Sequence, residues 1–559
     1  MTKTGFYQRI LFNKFFKLSL ILLLFIIFIY FLYRLNVFNL VDSNYKEFWL
    51  KVKQLFSFGS FDNELPGQNL WLFNLKLLWT SIKNILLATS VAFIFALFIS
   101  FLNASILFKK PYLSWITRTI SLLLRAFPVI VMLLFFKWFI VNNHLKAFII
   151  YFWFTWLFIL RNLNDIINTS SITKYWHFRY LGNSFVKSIK NTIILPNINR
   201  YIMLFFYSLE SNLRWSTILI YVGINGIGFY FQYDDFQYLG ISILYIMITI
   251  FSFELLLYFI NNYLNKGAQI KTKKQTIYPN IKKITKILII FLLSIFLIYL
   301  LIDLILNLIN SNNPNINIKA LEIFFKRFFI LDFSSINNNP DIYLIYITIF
   351  MQVYCAIYIA LFSAIIYVFV MNNKLNKPFN IIFWKLILSI LKALPTILIF
   401  KLLNPLFSTS FALVLALSFS SFRKITKHLN ELVNSLTQSK IDFLKGKRIN
   451  NFIIYYKFIL KEAIFKLFII LFFEFENSFR NAMTYSVFVG SGLDLIINKY
   501  QQENQFGKII PLILPAYLLF ILFELIYLAV VNQWILLLKN TIFTYFSKVK
   551  LKLIKNKNQ

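Results

Sequence analysis

Glu210-Ser211-Asn212-Leu213-Arg214 lies in an apolar run, and 266 residues later Glu476-Asn477-Ser478-Phe479-Arg480 lies in another. Residues four apart share a helix face, so each glutamate sits beside its arginine. At a lipid-facing helix centre, each such charge costs about 2.5–3.5 kcal/mol. Both pairs must therefore face a bundle interior, a partner or a water-filled path. An ion pair that locks two helices and a lining of a translocation path both meet this condition, and the spacing leaves both open.

Moving outward from the two pairs, the rest of the chain repeats as well. Arg125-Ala126-Phe127-Pro128 returns as Lys392-Ala393-Leu394-Pro395. Gly182 in a basic loop returns as Gly446, and Val222-Gly223 as Val489-Gly490. Phe253-Glu254-Leu255 returns as Phe523-Glu524-Leu525, which adds Glu254 and Glu524 as candidates for the same charge network. The offset stays between 264 and 270 residues, so the chain is two like halves. Such duplication suggests a pore or carrier built about a pseudo-two-fold axis.

Composition agrees with a membrane setting. Of the 559 residues, 59% are hydrophobic and only 14% charged, with a mean hydropathy of +0.69. The net charge of +36 comes in short blocks between apolar spans, which argues for positive loops retained in the cytoplasm and against a nucleic-acid partner. A transmembrane helix needs about 20 mostly apolar residues. Twelve candidate spans result, at 17–33, 83–102, 119–141, 146–161, 200–222, 240–262, 286–309, 343–371, 384–403, 406–422, 463–488 and 510–537. The expected fold is all-α and polytopic, with both termini cytoplasmic and the chain multi-pass in the plasma membrane.

This reading divides the chain into an anchor helix and outer loop (1–69), a first half (70–262), a basic cytoplasmic linker (263–285), a seventh helix and outer loop (286–341), a second half (342–538) and a basic cytoplasmic tail (539–559). Six spans on either side of the linker keep the halves parallel, related by an axis along the membrane normal.

Within the spans, Pro128 and Pro395 interrupt apolar helices and are expected to kink them. Only 13 glycines occur, and Gly223, Gly226 and Gly228, with Gly490 and Gly492, are read as turns at the outer surface. The two long inner loops, 162–199 and 423–462, each contain a short amphipathic stretch, Ser184–Lys190 and Phe452–Tyr456. Such a stretch suits either the lipid interface or the groove of a soluble partner.

Enzymatic classes find little support. The single cysteine, Cys355, and the three histidines, His144, His177 and His428, form no metal-ligand pattern. Gly446-Lys447-Arg448 is not a phosphate-binding loop, so no metal, catalytic residue or cofactor is assigned to this chain. A lipid-modifying enzyme would need clustered catalytic side chains, and none is evident.

These residues together resemble the membrane subunits of binding-protein-dependent ABC importers, specifically the phosphonate-type permeases. The resemblance rests on Arg125 to Pro128, Gly182, Leu195-Pro196, Glu210 to Arg214 and Val222-Gly223-Ile224-Asn225-Gly226-Ile227-Gly228. It covers about 70–235 and more weakly 340–500. Two halves fused in one chain resemble the family's permeases in wall-less bacteria, whose binding protein is associated with thiamine pyrophosphate.

The resemblance implies a type I importer permease of about 12 helices. It also implies coupling loops around Gly182, Leu195, Pro196 and Gly446, which dock on two copies of a cytoplasmic ATPase that binds the ATP. An extracellular lipid-anchored binding protein would deliver a phosphonate or thiamine pyrophosphate-class solute. Departures occur: Trp176-His177-Phe178 replaces the Glu-Ala-Ala of the coupling signature, Lys392 replaces an arginine, and Gly490-Ser491-Gly492-Leu493-Asp494 shortens the glycine run. The alternative is a twelve-helix ion-coupled secondary transporter, which has similar pseudo-symmetry but no need of two matching basic inner loops.

Overall fold

Long apolar runs satisfy their backbone groups internally only as helices, and helices account for nearly all the structure seen here. The computed structural model describes residues 14–37, 44–58, 69–108, 112–233, 235–269, 278–310, 316–328, 330–372, 374–376, 378–435, 438–489 and 493–531. Among these, the first half contains α1 (Lys14–Arg34), α2 (Tyr45–Leu55), α3 (Leu70–Asn103), α4 (Tyr112–Ala126), α5 (Val129–Phe139), α6 (Asn143–Asn168), α7 (Ile172–Tyr180), α8 (Ile198–Trp215) and α9 (Phe236–Gln269). The second half runs through α10 (Tyr278–Ile309), α11 (Ile318–Phe328), α12 (Ile342–Met371), α13 (Pro378–Ala393), α14 (Thr396–Leu403), α15 (Thr409–Ser435), α16 (Gln438–Gly446), α17 (Leu460–Val489), α18 (Leu493–Gln502) and α19 (Ile509–Val531).

Element for element the halves correspond, α1 with α10 through α8 with α17, and α9 with α19. Two helices of the first half start on asparagine caps: Asn142 accepts from the His144 and Leu145 amides at the start of α6. Asn69 does the same for Trp71 at the start of α3. Polar ties recur. Asn212 of α8 donates to Thr155 of α6 at 2.8 Å, and at the corresponding places Ser478 of α17 and Ser421 of α15 share a hydroxyl hydrogen bond of 2.7 Å.

The halves are interlocked. Although α1 belongs to the first half, it packs on α12 of the second, where Phe28 stacks on Tyr358 at 4.4 Å and Tyr354 donates to the Leu24 carbonyl. Its mate α10 packs on α3 and α6 of the first half, with Lys83 paired to Asp303 at 2.7 Å. Likewise α2 touches α14, and α11 touches α5 through Phe324 against Phe135. Each half thus carries peripheral helices that clasp the other.

Five described helices are long and apolar enough to cross a membrane, and seven if each bent pair counts as one span. The twelve expected spans are not all recovered: those at 17–33 and 286–309 are represented by shorter apolar helices, Ile21–Arg34 and Ser294–Ile309, and helices nearest the molecular centre carry charge. Arg423, Lys424 and Lys427 interrupt α15, and Glu474, Glu476 and Arg480 interrupt α17. The expected short span 146–161 belongs to a 26-residue helix, and 200–222 is shortened to α8 followed by a 3-10 turn at Leu219–Val222. The expected spans 119–141 and 384–403 are broken helices, turned by 84° and 83° at Pro128 and Pro395. A proline at the N-terminal boundary of α5 or α14 has extended backbone, so each helix stops and restarts in a new direction.

Candidate functional site

The two broken helices create the centre of the molecule. Each break leaves the last carbonyls of a helix without intrahelical donors, which must be satisfied if no water is present. Arg480 of α17 reaches across and donates to the Arg125 carbonyl at the end of α4, at 2.7 Å. Arg214 of α8 donates to the Lys392 carbonyl at the end of α13, at 3.0 Å. Each half therefore closes the other's break with its own arginine, and positive charge meets the negative end of a helix dipole.

The carboxylates complete the arrangement. Arg214 pairs with Glu210 at 2.5 Å and Arg480 with Glu476 at 2.9 Å, as the one-turn spacing requires. Glu254 of α9 reaches Lys392 at 3.4 Å and accepts from Ser389, both in the other half. Its mate Glu524 of α19 pairs with Arg125. Arg161 of α6 adds a third tie, to Glu476 at 3.2 Å, and lies over the Phe473 ring at 4.1 Å. Its mate Lys427 of α15 lies over Tyr207 at 4.5 Å, again across the interface. Glu476 and Glu524 are 1% and 3% exposed, burial that only multiple partners can support.

Around this network lies a cavity of 310 Å³. Arg125, Glu210, Arg214, Glu254, Lys392, Glu476 and Arg480 line it, so locking helices and lining the cavity are done by the same residues. Arg161, Arg423, Lys424 and Lys427 line it too, and the sequence reading passed over them. The signal was available: charged residues in α6 and α15 at helical spacing within otherwise apolar runs. Arg423 donates to the carbonyls of Lys392 and Leu394 at 2.9 and 2.7 Å, so it braces the second break from within its own half.

The remaining predicted positions lie away from the cavity. Gly182 has φ +81°, and a Cβ there would meet nothing within 4 Å, so backbone conformation is what favours glycine. It closes α7 two residues before Ser184, which caps the turn Phe185–Ile189. In the second half the left-handed residue two before the cap Asn450 is Arg448, with φ +56°. Gly446 is therefore not the conformational mate of Gly182; it ends α16 two residues earlier, its pairing an artefact of residue identity. The first expected stretch is a short α-helix, Phe185–Ile189, that runs on into a π-helix at Lys190–Ile194, whereas most of the second lies in a π-helix, Ile454–Ile459, after one turn at Asn451–Ile453. Leu195 is half exposed beside Pro196.

Of the outer glycines, Gly223 has φ +83° and ends the 3-10 turn at Leu219–Val222. Gly226 and Gly228 are buried, the first against Ser81 and the second against the Ser216–Thr217 backbone, so they permit close approach as well as turning. Gly490 and Gly492 lie outside the described residues. A further pair escaped the sequence reading: a Cβ at Gly240 would collide with the Leu55 carbonyl, and one at Gly507 with the Ile330 carbonyl. These glycines let the peripheral segments after α2 and α11 seat on their own halves.

No group of three or more potential metal ligands occurs among the described residues.

The chain is similar to the ABC transport system permease protein p69 of Mycoplasma genitalium, 27% identical over 474 residues, spanning 81% of this chain and 84% of the relative. The ABC transport system permease protein p69 of Mycoplasma pneumoniae is 24% identical over 459 residues, with 79% and 82% covered. No family model and no solved structure matches. Both relatives are ABC transport permeases, transport subunits rather than enzymes, and such homologues along four-fifths of the length support an ABC transporter membrane subunit here.

Proposed function

We propose that this chain is the permease of an ABC importer, and that its central cavity is the path of a small phosphate-bearing solute of the phosphonate or thiamine pyrophosphate class. The observation that carries the reading is the reciprocal bracing of two broken helices around one charged cavity. A path that opens alternately to either side needs two bodies that move about a shared centre, and the charged contacts between the halves occupy that centre. Eight basic side chains line the cavity against three carboxylates, Glu210, Glu254 and Glu476, which favours an anionic solute.

In this reading the segments around Gly182, Leu195, Pro196 and Gly446 dock on two ATPase copies. A lipid-anchored binding protein delivers solute at the outer face. ATP binding draws the ATPases together, and the docked segments carry that motion to the two halves. The exposed side chains of Tyr180, Leu181 and Val186, with Phe443, Phe452 and Tyr456, offer apolar contact to such a partner.

The test is reconstitution. Vesicles containing this chain with its ATPase and binding protein are expected to take up labelled solute only when ATP reaches the ATPase. Uptake driven by a proton or sodium gradient with no ATPase present would establish the secondary-transporter alternative instead.

A further inference from the structure

The pseudo-symmetry of the cavity fails most in charge along α6 and α15. On α6 the stripe facing the cavity is Phe154, Leu157, Phe158 and Arg161, and on α15 the corresponding stripe is Ser420, Arg423, Lys424 and Lys427. The positions match one to one at an offset of 266 residues. One wall is therefore apolar and the facing wall cationic.

Ion pairing sharpens the contrast. Arg161, the only charge of the α6 stripe, is held by Glu476 at 3.2 Å and Glu524 at 3.7 Å. Its counterpart Lys427 has no carboxylate within 4.0 Å among the described residues, and neither has Arg423. Lys424 alone of the α15 cations has one, Glu474 at 3.4 Å. Lys427 and Arg423 are four residues apart, on one face of α15, and both border the cavity. Trp153 continues the apolar side.

From this broken symmetry we infer that the cavity is a binding site for an amphipathic anion, held in one orientation. Its anionic head lies against Arg423, Lys424 and Lys427 of α15, and its apolar or aromatic body against Trp153, Phe154, Leu157 and Phe158 of α6. The inference rests on the reading of this cavity as the solute path and adds the polarity of the solute within it. A symmetric cavity would present the same wall twice; this one distinguishes the two ends of its ligand.

The test uses the full chain in lipid nanodiscs and measures equilibrium binding of phenylphosphonate, methylphosphonate and benzoate. Phenylphosphonate is expected to bind at least tenfold more tightly than methylphosphonate, since a buried ring adds apolar area. Lys427→Met should weaken both phosphonates about tenfold, the scale of one charge-assisted contact, while Lys427→Arg retains binding. Phe158→Ala should weaken phenylphosphonate and leave methylphosphonate unchanged. Unaltered melting behaviour of each variant separates these losses from misfolding.

Equal binding by wild type and Lys427→Met, or equal loss of both phosphonates in Phe158→Ala, overturns the oriented site, as does absence of binding by all three probes. Benzoate binding as tight as phenylphosphonate, with the same Lys427 dependence, leaves the oriented anion site standing and overturns the phosphate-bearing class proposed above.

Discussion

At the scale of residues, the arginines at the two breaks have the clearest consequences. Arg214 neutralises Glu210 and also caps a helix end in the opposite half. Replacing it with methionine leaves a buried carboxylate with its closest partner gone and the Lys392 carbonyl with Arg423 as its remaining arginine donor. Removing one member of a buried pair costs about 3–5 kcal/mol. Arg214→Met is therefore expected to lower the thermal midpoint in detergent, and Glu210→Gln in the same chain to recover much of the loss. A double variant no more stable than the single would show that the pair's electrostatics is not what the site depends on.

Arg448 offers the opposite sign. It holds φ +56° on an exposed turn where its conformational mate is Gly182. A non-glycine residue in left-handed backbone costs on the order of 1 kcal/mol. Arg448→Gly should be neutral to stabilising by about that amount, and Gly182→Ala destabilising by a similar amount. Thermal midpoints of the two variants moving in the same direction would contradict the assignment.

At the scale of elements, the clasping helices depend on single contacts inside otherwise apolar interfaces. Apolar packing gives little preference between lipid and protein, so polar contacts direct where such a helix docks. Lys83 on α3 and Asp303 on α10 make one such contact at 2.7 Å, both only partly exposed. Asp303→Lys is expected to reduce the yield of monodisperse protein, and the reversed pair Lys83→Asp with Asp303→Lys to restore it. Size-exclusion profiles of the three variants decide the matter; a reversed pair as poor as the single would mean that α10 docks by shape alone.

At the scale of the whole molecule, the interlock predicts how the chain can be divided. Each break, at Arg125 and at Lys392, takes an arginine from the other half, and at the second that arginine adds to Arg423 of the same half. Cutting within 270–277 should therefore give fragments 1–269 and 278–559 that co-purify when expressed together. Expressed singly, each should aggregate, because the carboxylates Glu254 and Glu524 lose partners that lie across the interface. A first fragment that is stable and monodisperse alone would refute the interlocked arrangement.

Much of this was legible in the chain itself. The repeat, the membrane setting and the importance of Glu210, Arg214, Glu476 and Arg480 follow from apolar patterning and from the high cost of charge in lipid, both properties of local sequence. Proline also announced the two breaks, although a proline specifies where a helix is interrupted and not through what angle. Tertiary structure alone decided which charges meet: the Arg125–Glu524 and Lys392–Glu254 pairs join residues 399 and 138 positions apart, which no helical period relates. It also decided that Arg448, not Gly446, answers Gly182, because conformational equivalence is set by caps and hydrogen bonds and not by residue identity. Most of all, it brought the stripes of α6 and α15 to one cavity, where their difference becomes visible. Sequence records each wall separately, and only packing brings an apolar wall and a cationic one to the same enclosed space.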